Sequence, residues 1–448
     1  MNVAGKRTLI LGGGVTGTAV AKLLEELGAH IFIADEKPLP DFANHQITDL
    51  ENLNYDLAVV SPGWKPDHPL ITALIKAKVP LTSEIDLAWE FRNLHNPNQK
   101  WVAITGTNGK TSTTELTAAM LNAAGIHAQA CGNVGTTVIE SVWSDQNFQV
   151  LVIEISSFQI YWLQHAEFES AAILNIADDH IDWHGTFEAY TAAKVKLLGF
   201  SKLAIVNGQD HQLVAATSSY AKKRHLFTLD TPAPGELGLV EDLLVDRAFT
   251  ISPKEAGALC ELVDVQPTVP HAVANTLAAA ALARSLGADY EAIQSAVKSF
   301  KPGRHRIELI LERDGIKWIN DSKATNPHAA KAALFSNERS IWIAGGLAKG
   351  AKFSELIDDC ASRLKCALLI GTDRDLIAAE LKRKNIEFFM IESDPQEKNL
   401  MDQVVLKAKA LATPGDTVLL APACASMDQF KNYSDRGDQF VDAVKRLV

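Results

Sequence analysis

The run Ala103-Ile-Thr-Gly-Thr-Asn-Gly-Lys-Thr111 constrains this chain more than any other stretch. A short β-type segment enters a glycine turn that closes on Gly109-Lys110-Thr111, and a helical pattern through Leu116, Met120 and Leu121 stops at Gly125. Strand, turn and helix in that order call for a parallel α/β sheet, with backbone N–H groups gathered at a helix N-terminus. In such a cradle Gly106, Thr107, Asn108 and Gly109 curl around phosphate. The Lys110 ammonium reaches the terminal phosphates, and the Thr111 hydroxyl can ligate Mg2+. The first glycine of the longer G-x-x-x-x-G-K-[ST] pattern would fall on Ile104, so the loop is a shortened variant.

At 448 residues the chain exceeds what one core organises, and two or three domains are expected. Hydrophobic residues at 47% and charged residues at 22% fit a soluble globular protein. A formal charge of −11 argues against nonspecific nucleic-acid binding, so an anionic substrate must be held by local positive charge. Five cysteines, Cys131, Cys260, Cys360, Cys366 and Cys424, lack zinc-site spacing. Their odd number suits a reducing compartment, and cytoplasm is the expectation. No run approaches 18 apolar residues, so no membrane insertion is expected.

The pattern is α/β throughout. Strands are expected at Thr8–Leu11, Ile31–Ala34 and Leu57–Val60, with a helix from about Thr16 to Leu27 ended by Gly28. The polar break Asn93–Lys100 marks a first boundary. Strands at Val150–Ile155 and Ala171–Ile176 follow, then a polar region over 208–268 and an Ala-rich helix over 271–286. Lys301-Pro302-Gly303 marks a second boundary, before a hairpin of Ile307–Leu311 and Ile316–Asn320 around Asp314-Gly315. Further strands are expected at Ile341–Ala344, Ala367–Ile370, Glu387–Ile391 and Thr417–Leu420. Three domains result, over 1–95, 96–301 and 302–448.

Several constellations carry chemistry. Gly12-Gly-Gly14-Val15-Thr16-Gly17 follows the first strand and Asp35 ends the second, which has the form of a dinucleotide fingerprint. Ser61-Pro62-Gly63 is a further diphosphate-facing loop. Glu154 ends an apolar strand, where a carboxylate is costly unless it meets a cation, and Mg2+ shared with Thr111 would supply one. Asn175–Gly185 gathers acids and imidazoles, of which His180 is the chosen candidate. Lys194 sits on a helix shortly after, and by pattern alone it is a surface lysine. In the third domain Arg306 or Lys323 could bind an anionic substrate.

Together Thr105–Thr111, Glu154–Gln159, Asn175–His180, Tyr190–Lys194, Arg304–Arg306, Asp321–Asn326 and Pro422–Phe430 resemble the Mur ligases of peptidoglycan precursor synthesis, over the whole chain. The resemblance implies a Rossmann-like uridine-nucleotide domain, a central P-loop ATPase-like parallel sheet and a Rossmann-like C-terminal domain. It implies ATP-dependent addition of D-glutamate to UDP-N-acetylmuramoyl-L-alanine through an acyl phosphate. Gly14, Val15, Thr16, Gly17, Asp35, Ser61, Pro62 and Gly63 would hold the uridine nucleotide, and Asn133 would contact substrate. Gly106 to Thr111, Thr113, Asn275, Arg306 and Asp321 would bind ATP. Thr111, Glu154, His180 and Lys194 would hold two Mg2+ ions, with Lys194 carbamylated. Lys110, Lys194, His180 and Glu154 would be catalytic. His305, Lys323, Thr325, Ser426 and Tyr433 would receive D-glutamate, and a monomer is expected.

Two departures stand out. The family's His-Asn-x-x-Asn run reads His271-Ala272-Val-Ala-Asn275, which removes one polar contact near adenine, and Trp183 replaces a basic residue. Three rivals stay open at this point. A nicotinamide-dependent dehydrogenase would use Gly12–Gly17 and Asp35 but leaves Gly109-Lys110-Thr111 unexplained. A noncatalytic ATP-driven module and another amino-acid ligase of the same family, including a folylpolyglutamate-type enzyme, are the others.

Overall fold

The computed structural model describes residues 2–37, 39, 53–220, 223–392 and 399–448. Short apolar runs such as Leu57-Ala-Val-Val60 and Ser340-Ile-Trp-Ile-Ala-Gly345 are buried along their length. Strands of that kind are buried on both faces and need helices above and below, which is the α/β solution. The described residues form three sheets.

The first sheet has the order β2-β1-β3-β4 and is all parallel, from β1 (Arg7–Leu11), β2 (His30–Ala34), β3 (Leu57–Val60) and β4 (Leu81–Ser83). The second has nine strands in the order β13-β12-β11-β10-β9-β8-β5-β7-β6. Its parallel part runs from β5 (Lys100–Thr105), β6 (Ala128–Gly132), β7 (Val150–Glu154) and β8 (Phe168–Ile173) to β9 (Ser201–Asn207), β10 (Lys223–Phe227) and β11 (Glu236–Val240). An antiparallel edge follows from β12 (Leu243–Asp246) and β13 (Gly257–Glu261). The third sheet has the order β14-β15-β19-β16-β17-β18. Its strands are β14 (Glu308–Arg313), β15 (Ile316–Asn320), β16 (Ser340–Gly345), β17 (Leu364–Ile370), β18 (Phe388–Met390) and β19 (Thr417–Leu420).

The chain divides into two compact units, residues 1–176 with 183–300, and residues 177–182 with 301–448. The first two sheets therefore share one unit. Two acids on the helix Glu84–His95 explain why. Asp86, with no exposure, accepts from the amides of Gln164, His165 and Ala166 at 2.9, 3.0 and 2.9 Å and from Ser83 Oγ at 2.8 Å. Glu84 accepts from the Ile139 amide at 2.7 Å. A buried carboxylate is tolerated only with such a full set of donors, so these bonds weld the helix of the first sheet to turns of the second.

Strand Leu57–Val60 and the Thr417–Leu420 strand fall where the sequence pattern puts them. The turn Asp314-Gly315, at φ +52° and +71°, makes the expected two-residue hairpin. The pattern missed the antiparallel edge inside 208–268, because its strands are short and capped by polar residues at their ends. It also placed Ile307 in a strand. There the residue sits at φ +46° in the turn before β14.

Burial pushes the Glu84 carboxyl up to about 7, from an ordinary 4.5. Between those values the folded chain holds a proton that the unfolded chain releases. The contribution to stability is thus full below pH 4.5 and is lost as pH rises through about 7. Melting curves of Glu84→Gln and the unsubstituted protein should show the Tm difference, variant minus parent, rising across that window. A difference flat with pH would count against the assignment.

Candidate active site

The loop after β5 is built from two glycines that no other residue replaces without strain. Gly109 caps the helix Lys110–Ala123 at φ +85°, and a Cβ there would stand 2.4 Å from Asn275 Oδ1. Asn275 is delivered by the helix Pro270–Ser285, whose run Ala278 to Ala283 is fully buried. Small side chains let this helix pack against Lys110–Ala123 and press its asparagine on the turn. From the other side Asn175 clamps the loop: its Oδ1 accepts from the Asn108 amide at 2.8 Å and its Nδ2 donates to the Asn108 carbonyl at 3.0 Å. Lys110 Nζ donates to the carbonyls of Gly106 and Thr107, both at 3.0 Å. Thr113 Oγ1 donates to the Gly109 carbonyl at 3.0 Å.

Lys194 is not the surface lysine its pattern suggests. It is 2% exposed, its Nζ donates to the Gly106 carbonyl at 3.0 Å, and it lies 4.6 Å from the centre of the Tyr190 ring. The Tyr190 hydroxyl in turn meets Thr107 Oγ1 at 3.0 Å. Pattern reading failed here because the helix Phe187–Gly199 is weakly amphipathic, and its buried face is set by the loop it packs on.

Glu154 ends β7 beside Ile104 of β5 and Gly132 of β6. Its side chain is buried; Oε1 accepts from Asn133 Nδ2 at 3.0 Å, whereas Oε2 has no hydrogen-bond partner among the described residues. A buried acceptor left unmade costs about 1–3 kcal/mol, and more when charged. A hard cation at the loop would satisfy it. Among the described residues no group of three or more His, Cys, Asp or Glu could hold a metal by itself. Mg2+ takes one or two protein oxygens and completes its shell with phosphate and water.

His180, at φ +54°, lies on the segment 177–182 of the second unit, its Nε2 3.6 Å from Asp179 Oδ2. His184 and Trp183 belong to the first unit and pack as rings. His184 stacks on Phe158 with centroids 5.6 Å apart, and Trp183 lies 5.0 Å from Phe158 and 5.2 Å from Tyr161. Burial pushes His271 down to about 4, so it stays neutral beside the position where Ala272 stands.

In the first sheet, Asp35 is tied to the glycine loop. Its Oδ2 accepts from the Gly13 amide at 2.7 Å. Gly17 must be glycine, since a Cβ would lie 1.8 Å from the Gly12 carbonyl oxygen. Ser61 Oγ donates to that carbonyl at 3.3 Å, which joins the two candidate phosphate loops. Gly14 and Val15 are exposed.

The second unit gathers His305, Lys323 and Tyr433. Lys323 Nζ lies 4.1 Å over the Tyr433 ring, and its amide donates to the His305 carbonyl at 3.2 Å. Burial, the largest single influence, raises the Tyr433 phenol, but the hydrogen bond and charge of Lys323 together with Ser434 and the Arg306 charge outweigh it, and the net shift is down. Asp321 is pushed up to about 7 by burial, against the Ile307 amide and the Arg306 charge. The amide of Thr325 donates to the Lys323 carbonyl at 2.8 Å, and Ser426 is buried. Sequence reasoning missed Arg436, which has no exposure. Its guanidinium donates to Ser322 Oγ at 3.0 Å, the Ser322 carbonyl at 2.9 Å and the Cys424 carbonyl at 3.1 Å, joining the loops after β15 and β19. Only the tertiary fold marks it, since an arginine on a terminal helix reads as solvated.

A parallel sheet with a glycine–lysine–threonine loop opening a helix defines a P-loop nucleotide-binding protein. The Mur ligase middle domain matches residues 104–283, and the Mur ligase glutamate ligase domain matches residues 305–424. The UDP-N-acetylmuramoylalanine–D-glutamate ligase of Streptomyces coelicolor is 44% identical, over 99% of this chain and 98% of that protein. The protein of the same name from Thermobifida fusca is 42% identical over 100% of both. In fold the chain is similar to a pseudomurein peptide ligase type C from Methanothermus fervidus (TM-score 0.64, 17% identity, 99% and 100% of the two chains). It is also similar to a MurF ligase from Thermotoga maritima solved with ADP (TM-score 0.60, 14% identity, 99% and 95%). The chain belongs to the Mur ligase family.

Gly109→Ala would hold alanine in a left-handed conformation and drive Asn275 off the loop. The backbone cost alone is about 1–2 kcal/mol, so ATP affinity should fall by about tenfold or more. ATP-dependent thermal stabilisation measures this, and a variant with unchanged ATP protection would refute the clamp.

Proposed function

We propose that this chain is an ATP-dependent, ADP-forming ligase that joins D-glutamate to UDP-N-acetylmuramoyl-L-alanine. The observation that carries the reading is the strained glycine loop, with Lys110 and Lys194 on its carbonyls and Glu154 Oε2 unpaired nearby in the same unit. Names of relatives at 44% and 42% identity over nearly the whole chain supply the substrates. The dehydrogenase and the noncatalytic module are set aside by family membership. The functional domains are proposed as 1–95 for the uridine nucleotide, 96–301 for ATP and 302–448 for the amino acid.

The substrate carboxylate attacks the γ-phosphorus of ATP, ADP leaves, and an acyl phosphate forms. The D-glutamate amine then attacks the carbonyl, phosphate leaves and a proton is lost. A carboxylate is a poor acceptor because its charge repels the triphosphate. The loop amides and Lys110 lower that repulsion, and Lys110 exchanges its contacts with the Gly106 and Thr107 carbonyls for phosphate oxygens. Mg2+, proposed as two ions on Thr111, Glu154, His180 and Lys194, supplies further charge neutralisation when bound. Asn133 orients Glu154, and Asn275 keeps the loop in place.

We assign Gly14 to Gly17, Asp35 and Ser61 to Gly63 to the uridine diphosphate. Asn108 to Thr111, Thr113, Asn275, Arg306 and Asp321 are assigned to ATP. His305, Lys323, Thr325, Ser426 and Tyr433 are assigned to D-glutamate. Carbamylation of Lys194 is part of the proposal: a free ammonium beside Mg2+ is repelled, whereas a carbamate supplies anionic oxygens. Among the described residues no helix is long and apolar enough to cross a membrane, and all five cysteines are free and buried. Both accord with a cytoplasmic place of work. A monomer remains our reading of the assembly, to be checked by light scattering.

Phosphate release should require ATP, UDP-N-acetylmuramoyl-L-alanine and D-glutamate together, with L-glutamate inert. Release with either substrate omitted would overturn the assignment. Lys110→Ala should lower kcat at least a hundredfold, a loss of about 3–4 kcal/mol in the transition state. Lys323→Ala should chiefly raise the KM for D-glutamate; an unchanged KM moves the amino-acid site elsewhere. Lys194→Ala should lose activity that acetate or formate partly restores. No rescue, together with an unmodified amine in native mass spectrometry, would end the carbamate role.

A further inference from the structure

Glu84 is 4% exposed and opens the helix Glu84–His95, yet its carboxyl serves an element 55 residues away. Oε1 accepts from the Ile139 amide at 2.7 Å. This amide lies in the first turn of the helix Val138–Val142, which already has its own cap. Thr137 Oγ1 accepts from the Glu140 amide at 3.3 Å, and Glu140 returns a bond to the Thr137 amide at 3.1 Å. Capping alone therefore leaves Glu84 with the remaining first-turn N–H groups, and what it adds is a tether to a different layer.

The tethered helix follows the loop Gly132–Thr136. At its near end the loop is pinned to Glu154: the Asn133 amide donates to the Glu154 carbonyl at 2.9 Å and Asn133 Nδ2 donates to Oε1 at 3.0 Å. Gly132, at φ +113°, passes so close that a Cβ would stand 2.4 Å from the Glu154 carbonyl oxygen. Residues Asn133 to Thr136 are all exposed. The Gly132 amide donates to the Thr136 carbonyl at 2.8 Å and closes the loop across its base, but with little surface buried between them the residues above that bond depend on what holds the base in place. One end is held by Glu154, and the other runs directly into the helix start held by Glu84.

We propose that Glu84 is a positioning residue of this enzyme: by holding the Ile139 amide it fixes the far end of the Gly132–Thr136 loop and, through Asn133, keeps the Glu154 carboxylate aimed for Mg2+. The inference rests on the reading of Glu154 as a metal ligand. Asp86, two residues along the same helix, provides the internal contrast. It is equally buried, but its three amide partners belong to the turn Gln164–Ala166, to which no ligand contact is assigned.

The test is the Mg2+ concentration that gives half of the thermal shift produced by a nonhydrolysable ATP analogue, measured on the full chain without turnover. Glu84→Leu should raise it about tenfold, the usual scale for removing an outer support of a metal ligand. It should also speed hydrogen exchange over residues 132–139. Glu84→Gln keeps one acceptor for Ile139 and loses the other, so a rise of about threefold is expected. Glu84→Leu with Asn133→Ala should be no worse than Asn133→Ala alone, since both act through one loop. Asp86→Asn should lower Tm without moving the Mg2+ midpoint.

A folded Glu84→Leu with an unchanged midpoint, or effects that add to those of Asn133→Ala, would overturn the proposal. Where Glu84→Leu does not fold, Glu84→Gln decides, and an unmoved midpoint overturns it. Glu154→Gln separates the two readings. A shifted midpoint there with none in the Glu84 variants sinks only the role of Glu84, whereas no shift in Glu154→Gln removes the metal assignment itself.

Discussion

A carboxylate oxygen buried without a partner is the constraint around which the central sheet is arranged. Glu154 Oε2 sits at the end of β7, between the strand that feeds the glycine loop and the strand that feeds Asn133. Leaving such an atom unsatisfied is costly, and in the function proposed above a cation would meet it. The loop beside it is already in a demanding shape, with left-handed Gly109 pressed by Asn275 and Asn108 clamped by Asn175. Rigidity here means that little rearrangement is left to pay for when charge moves between phosphate oxygens.

The same principle operates differently in the second unit. With a net charge of −11, positive potential for an acidic amino acid has to be local. Lys323 lies over the Tyr433 ring, and the fully buried Arg436 is a second local positive charge of this unit. Arg436 is held by a hydroxyl and two carbonyls, and burial lowers it only to about 10, so its charge is retained at neutral pH. Hydrogen bonds to neutral oxygens fix its fork, and Asp428 is the acidic group that offsets part of its charge. Asp321 nearby in sequence is raised to about 7 by burial, which keeps a competing negative charge small near neutrality.

Much of this was legible beforehand. The glycine turns, the helix stop at Gly125, the hairpin at Asp314-Gly315 and the breaker at Pro302-Gly303 are local features, since φ > 0 and the lack of an N–H are properties of single residues. The antiparallel edge over 236–261 was not legible, because short strands owe their conformation to pairing across the sheet. The first and second sheets, proposed as separate functional domains, pack in one compact unit. Glu84 and Asp86 make that join, and as sequence they look like ordinary acids in the first turn of a helix.

The amino-acid sequence by itself determined the α/β class, the phosphate loop and the family, because each is carried by residue types at fixed short spacings. Tertiary structure decided burial and partnership. It turned Lys194 from a surface lysine into one lying on the Gly106 carbonyl, left one oxygen of Glu154 bare, brought Asn275 onto Gly109, and buried Arg436 between two loops. The physical reason is that desolvation and hydrogen-bond satisfaction depend on atoms distant in the chain, 88 residues for Lys194 and Gly106 and 114 for Arg436 and Ser322, and no periodicity within one helix or strand encodes which distant group will arrive there.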